Sequence, residues 1–172
     1  MNPKLNFIFS RRSVRAFQAG DVDDGVVRDL LEAAMAAPSA VARDPWDFVV
    51  VRERGTLAKI AEALPNGKML VGAPLGIVVC GDLRRAHDRQ LSYLLQDCSA
   101  AIENLLLAAS TLGLGACWLG IHPRENRIGA VRAVLNIPEA VLPIAAIALG
   151  RPAETPAART RYREGAVHWE VW

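Results

Sequence analysis

Between Ala100 and Leu112 the chain is strongly apolar, broken by Glu103, Asn104 and Ser110. The run falls short of the roughly 18 uninterrupted apolar residues that a membrane span requires, so a helix built on it has to be buried by the rest of the same chain. That requirement predicts a long central helix, about Arg89 to Leu112, stopped by the glycine-bearing turn Gly113–Gly115. Other elements must pack around it. The 172 residues suffice for one such core without disulfide or metal staples, and a composition 52% hydrophobic and 22% charged is that of a folded domain.

The flanking segments alternate in type. Asp23 or Asp24 can cap a helix whose apolar face is Val27, Leu30, Leu31, Ala34 and Met35, and Pro38 closes it. Phe48–Val51 reads as a strand, Thr56–Leu64 as a helix stopped by Pro65, and Leu75–Cys80 as a strand of the continuously apolar kind that is buried on both faces. A short strand near Ala116–Leu119, a helix over Arg124–Leu135 and a last apolar strand over Val141–Leu149, ending at Gly150, complete the pattern. No repeat, low-complexity tract or Gly/Ser linker divides the chain. Its tail, about 151–172, is irregular yet holds Trp169 and Trp172, which predicts that it packs on something, a partner subunit being one such surface.

Cys80, Cys98 and Cys117 are odd in number, contain no CxxC pair and sit in apolar stretches. They read as small buried hydrophobes in a reducing, cytoplasmic compartment, against a disulfide framework or a zinc site. His87, His122 and His168 lie far apart without metal-ligand spacing. There is no GxSxG elbow and no P-loop, and Gly113, Gly115 and Gly120 lack both the spacing and the strand-to-helix context of the dinucleotide fingerprint. An enzyme made from this chain would therefore need a bound cofactor for its hard chemistry, and no side chain is assigned a catalytic role.

Charge is balanced overall at +2, too little for a protein that coats nucleic acid or anionic membrane. Locally it is concentrated: residues 1–20 carry Lys4, Arg11, Arg12 and Arg15 with no acid before Asp21. Arg11 and Arg15, four apart, would share one face of a helical turn, with Arg12 and the Ser13 hydroxyl beside them. Planar guanidinium forks take phosphate oxygens bidentately. Charge alone leaves three readings open, namely a solvated turn, an Arg-rich targeting peptide and a phosphate grip. The apolar run Phe7–Phe9 is too short for a secretory signal.

Together with segments downstream, the cluster resembles the nitroreductase family of FMN-dependent oxidoreductases, and the resemblance spans nearly the whole chain. The matching stretches are Arg11-Arg12-Ser13-Val14-Arg15, Ala37-Pro38-Ser39-Ala40 leading to Pro45-Trp46, and Leu112-Gly113-Leu114-Gly115-Ala116-Cys117-Trp118-Leu119-Gly120. The resemblance implies an α+β fold of three layers, a mostly antiparallel sheet flanked by helices, assembled as an intertwined homodimer with two FMN sites, each built from both subunits. In that scheme Arg11, Arg12, Ser13 and Arg15 hold the FMN phosphate, ribityl chain and pyrimidine edge, Arg15 lying nearest the ring. Pro38, Ser39 and Ala40 reach the flavin from the other subunit, Lys68 approaches the pyrimidine end, and the backbone of Leu119 and Gly120 contacts the ring near N5. Arg159 with Arg161, or Arg161 with Arg163, completes the phosphate site. Residues 1–172 then form a single FMN-binding domain.

The activity implied is hydride transfer from NADH or NADPH through flavin N5 to a nitroaromatic, quinone or flavin acceptor, in a ping-pong sequence. The chain departs from the family pattern in the loop after Pro38, where relatives carry Asn and Gln and this sequence has Ala42 and Asp44. Two alternatives stay open: an FMN-binding sensor or carrier with little turnover, and a nucleic-acid binder that uses both arginine clusters.

Overall fold

The structure, a computed structural model, describes residues 2–172. Its centre is a strand, β2 (Leu75–Asp82), buried at every position. β2 pairs on one side with β1 (Trp46–Val51) and on the other with β4 (Val141–Gly150), which in turn pairs with β3 (Gly115–Gly120). All three pairings are antiparallel, giving the order β1-β2-β4-β3. Because successive side chains of a strand leave opposite faces, β2 and β4 serve two cores at once. Leu75, Ile77, Val79, Ala145, Ile147 and Leu149 enter one; Val78, Cys80, Ala146 and Ala148 enter the other.

Helices close each face. The first core is covered by α2 (Asp24–Met35) and by the long α5 (Leu91–Thr111), through Leu30, Ala34, Leu94, Cys98, Ile102 and Leu105. The second is covered by α3 (Arg54–Ala63), α4 (Met69–Gly72) and α6 (Glu125–Leu135), through Leu57, Ile60, Leu70, Ile128 and Val131. A short α1 (Asn6–Ser10) precedes them all. The result is the three-layer α+β arrangement with an antiparallel sheet that the sequence led us to expect.

Boundaries move where side chains act on the backbone. α3 starts at Arg54, ahead of the expected Thr56, because the Glu53 carboxylate accepts hydrogen bonds from the Gly55 and Thr56 amides at 2.7 and 2.5 Å. β2 runs on to Asp82, whose amide donates to the Pro45 carbonyl at 2.8 Å while Arg84 binds its carboxylate at 2.9 and 2.7 Å. That contact holds the Asp82 carboxyl below its ordinary pKa. Met35 does not join the inward face of α2: it is 51% exposed, since it sits about 100° round the helix from Ala34.

The three cysteines are free and buried, and burial pushes the Cys80 and Cys98 thiols up to about 12. Trp169 and Trp172 are 82% and 100% exposed, Trp172 stacking on the neighbouring His168 ring at 4.3 Å. No helix among the described residues is long and apolar enough to cross a membrane.

Candidate functional site

The basic N-terminal segment does not form the helical turn expected of it. α1 ends at Ser10, and Arg11 is already extended at φ −60°, ψ 121°. Ser13 makes a parallel bridge to Ala116 of β3, and the Val14 amide donates to the Ala116 carbonyl at 3.0 Å. The sheet edge wins because Val14 finds burial there: it is 7% exposed, seated where Gly115 leaves room, and a Cβ at Gly115 would lie 2.6 Å from Val14 Cγ1. The spacing of Arg11 and Arg15 therefore does not put them on one helical face. They project instead from a non-helical stretch that runs beside β3.

A strap from the chain after β4 holds the other side of this segment. Gln18 N–H donates to the Arg151 carbonyl and Ala153 N–H to the Ala16 carbonyl, both at 2.9 Å. The Glu154 carboxylate accepts from the amides of Arg15 and Ala16 at 2.5 and 3.3 Å. The Arg12 guanidinium donates to the Ala157 carbonyl, which brings the tail arginines near. Repulsion from Arg161, and after it Arg12, lowers the pKa of Arg159. Like charges gathered closely enough to disfavour one another make a place where an anion is welcome. Arg11 lies 3.7 Å from the Glu103 carboxylate of α5.

Arg15, Lys68 and Leu119 border one cleft of about 650 Å³, completed by Pro65, Asn66, Met69, Cys117 and Trp118. Gly120, next along β3, is informative. A Cβ there would meet no atom within 4 Å, and its φ is not in the left-handed region. Neither this chain's packing nor its backbone conformation calls for glycine at 120, so the bare strand is open to the close approach of a flat ligand. A roomy cleft that ends at a bare glycine and is bordered by Arg15, on the segment that also carries Arg11 and Arg12, fits a group that joins a planar ring to a phosphate, as FMN does. Burial raises the Cys117 thiol pKa, which keeps it protonated near neutral pH and offers no thiolate nucleophile.

Pro38, Ser39 and Ala40 do not border that cleft in their own protomer. Their loop is anchored to α5 instead: the Ala40 amide donates at 2.9 Å to Oδ1 of Asp97, which is 4% exposed and whose Oδ2 has no partner. Ser39 Oγ donates to the Asp44 carboxylate at 2.5 Å and accepts from the Asp44 amide at 2.9 Å. Asp44, in the position of the family's Gln, is thus occupied within its own loop. Val41, Ala42 and Asp44 have φ of 54°, 51° and 47°.

Asp97, Glu103 and Glu154 were not singled out from the sequence. An acid set into the apolar stripe of a central helix was a usable signal for Asp97. Glu154 gave no local signal at all, since its partner Arg15 is 139 residues away.

The sequence profile of the nitroreductase family matches residues 8–67 and 58–151. A Methanothermobacter thermautotrophicus protein, provisionally named NADH dehydrogenase/NAD(P)H nitroreductase, is 44% identical over 168 residues, covering 98% of this chain and 87% of that protein. A solved structure with the same provisional name from Bacteroides thetaiotaomicron is 40% identical, with a TM-score of 0.93 over 100% of this chain and 99% of that one. Another, from Desulfovibrio desulfuricans, provisionally named a nitroreductase and crystallised in complex with FMN, is 32% identical with a TM-score of 0.85, covering 100% and 99%. With profile, sequence and fold in agreement over nearly its full length, the chain belongs to the nitroreductase family.

Proposed function

We propose that this chain is an FMN-dependent oxidoreductase that uses NADH or NADPH to reduce nitroaromatic, quinone or flavin acceptors by a ping-pong mechanism. It works as a single-domain, cytoplasmic homodimer with two FMN sites at the subunit interface. The observation that carries this reading is the convergence of Arg15, Lys68 and Leu119 on one cleft, reached by the same segment that holds Arg11 and Arg12. Bound FMN would supply the two-electron chemistry, which no side chain here can supply alone.

The protein's own part is to bind, orient and polarise. Arg11, Arg12, Arg159 and Arg161 grip the phosphate, with Ser13 beside them; the crowding of Arg159 by Arg161 and Arg12 supports this pair over Arg161 and Arg163. Arg15 and Lys68 put positive charge at the pyrimidine end, where negative charge develops on hydride uptake. The backbone of Leu119 and Gly120 leaves the reactive face unobstructed. Pro38, Ser39 and Ala40, which border no part of their own cleft, close the site of the other subunit, and the exposed Trp169 and Trp172 pack on that partner.

Purified protein should be yellow, release FMN on denaturation and bleach when NADH or NADPH is added without oxygen. A colourless protein that cannot take up FMN refutes the reading. One that holds FMN tightly and never bleaches is a carrier or sensor, the alternative that Ala42 and the self-occupied Asp44 favour. Arg11→Ala should weaken FMN binding about tenfold to a hundredfold, as expected for loss of one hydrogen bond to a charged group, read by titrating the apoprotein with FMN.

A further inference from the structure

Because β1 and β2 run antiparallel with Trp46 opposite Gly81, the loop that enters β1 and the loop that leaves β2 meet at one end of the sheet. The Arg85 guanidinium ties them together, donating to the Pro45 and Trp46 carbonyls at 3.3 and 3.2 Å and to the Asp47 carboxylate. Between the loops is a hollow of about 430 Å³ lined by Arg43, Arg84, Arg85, Ala86, Asp88 and Arg89. Arg84 and Arg85 are ion-paired to Asp82 and Asp47, and the Asp88 carboxylate lies 3.4 Å from the His87 ring. The side chains of Arg43 and Arg89 make no hydrogen bond or ion pair among the described residues, and both residues are exposed. On one wall Asp88 and Arg89 hold an unfavourable backbone conformation, at φ 50° and 54°, and on the other Arg43 is flanked by Ala42 and Asp44 with positive φ. Such residues collect at ligand clamps.

We infer that this hollow binds a phosphate of the nucleotide electron donor, with Arg84 and Arg85 pre-oriented by their carboxylates and Arg43 and Arg89 supplying uncommitted guanidiniums. Planar forks of this kind match phosphate oxygens bidentately. The inference rests on the oxidoreductase reading, in which the Pro38–Ala40 loop closes the other subunit's flavin site and runs directly into Arg43. Two phosphate sources share this chemistry, the pyrophosphate common to both donors and the 2′-phosphate of NADPH.

The test uses FMN-loaded protein and two nucleotides that cannot be oxidised or reduced, ADP and adenosine 2′,5′-bisphosphate. Their binding is measured by calorimetry, alongside anaerobic flavin bleaching by NADH and NADPH. Arg43→Gln and Arg89→Gln should each weaken nucleotide binding about tenfold while FMN content stays constant. Lys59→Gln, which removes the same charge from the exposed side of α3, should change nothing. Losses confined to the bisphosphate and NADPH assign the site to the 2′-phosphate; equal losses for ADP and NADH assign it to the pyrophosphate. Unchanged affinities in both arginine variants, or a wild type that bleaches normally yet binds neither nucleotide, overturn the inference. Absence of bleaching with either donor would instead strike at the proposed function, and the calorimetry would still score the site.

Discussion

Ala42 holds φ at 51°, where the Cβ of an ordinary residue crowds the following carbonyl and asparagine is better tolerated. Relatives carry Asn at this position in the resemblance drawn above, so the departure exchanges a residue suited to the backbone for one that strains it. Ala42→Asn should raise stability by about 0.5–1 kcal/mol, seen as a higher urea midpoint with an unchanged slope. Asp97 acts on the same loop from below. Replacing it by Ala removes the acceptor of the Ala40 amide and should cost about 1–3 kcal/mol in urea unfolding. Asp97→Asn, which keeps an acceptor oxygen, should lose clearly less; equal losses would mean that the Ala40 hydrogen bond contributes little.

Two glycines of β3 separate what an element does for the fold from what it offers a ligand. Gly115→Ala sets a methyl against Val14, an overpacking that costs about 1–3 kcal/mol and falls on the docking of residues 11–15. FMN affinity should drop by about fivefold to a hundredfold, measured on apoprotein. Gly120→Ala creates no clash within the protomer, so its thermal unfolding should match the wild type, and any loss of FMN affinity would report obstruction of the bound ring itself. At this scale the helices and strands were legible because their apolar patterns are local: the run from Ala100 announced α5, and Ile77-Val78-Val79 announced β2. The misreading of Arg11–Arg15 has the same origin. Four-residue spacing looks helical, but the shape of this segment is set by one buried valine, a glycine on β3 and a carboxylate beyond β4, none of them close in sequence.

The whole molecule has two cores divided by one sheet, a layout that no local pattern revealed because strand order depends on which distant segments pair. Both cores hold thiols that burial keeps neutral, among them Cys98 in one and Cys80 in the other, both pushed up to about 12 from an ordinary value of 9.0. In the unfolded chain these thiols ionise first. Their contribution to stability is therefore complete below about pH 9 and is lost as pH rises toward about 12. Replacing Cys80 and Cys98 by Ala should flatten that alkaline decline in urea unfolding measured across the same range. The strap that fixes the arginine segment has a consequence in time. A ribosome adds about 5–20 residues per second, so Arg15 leaves it roughly 7 to 28 seconds before Glu154, its partner 139 positions later. Through that interval the nascent chain has its guanidiniums but nothing to aim them, and flavin capture becomes a late event, following synthesis of every strand and helix of the sheet it sits on.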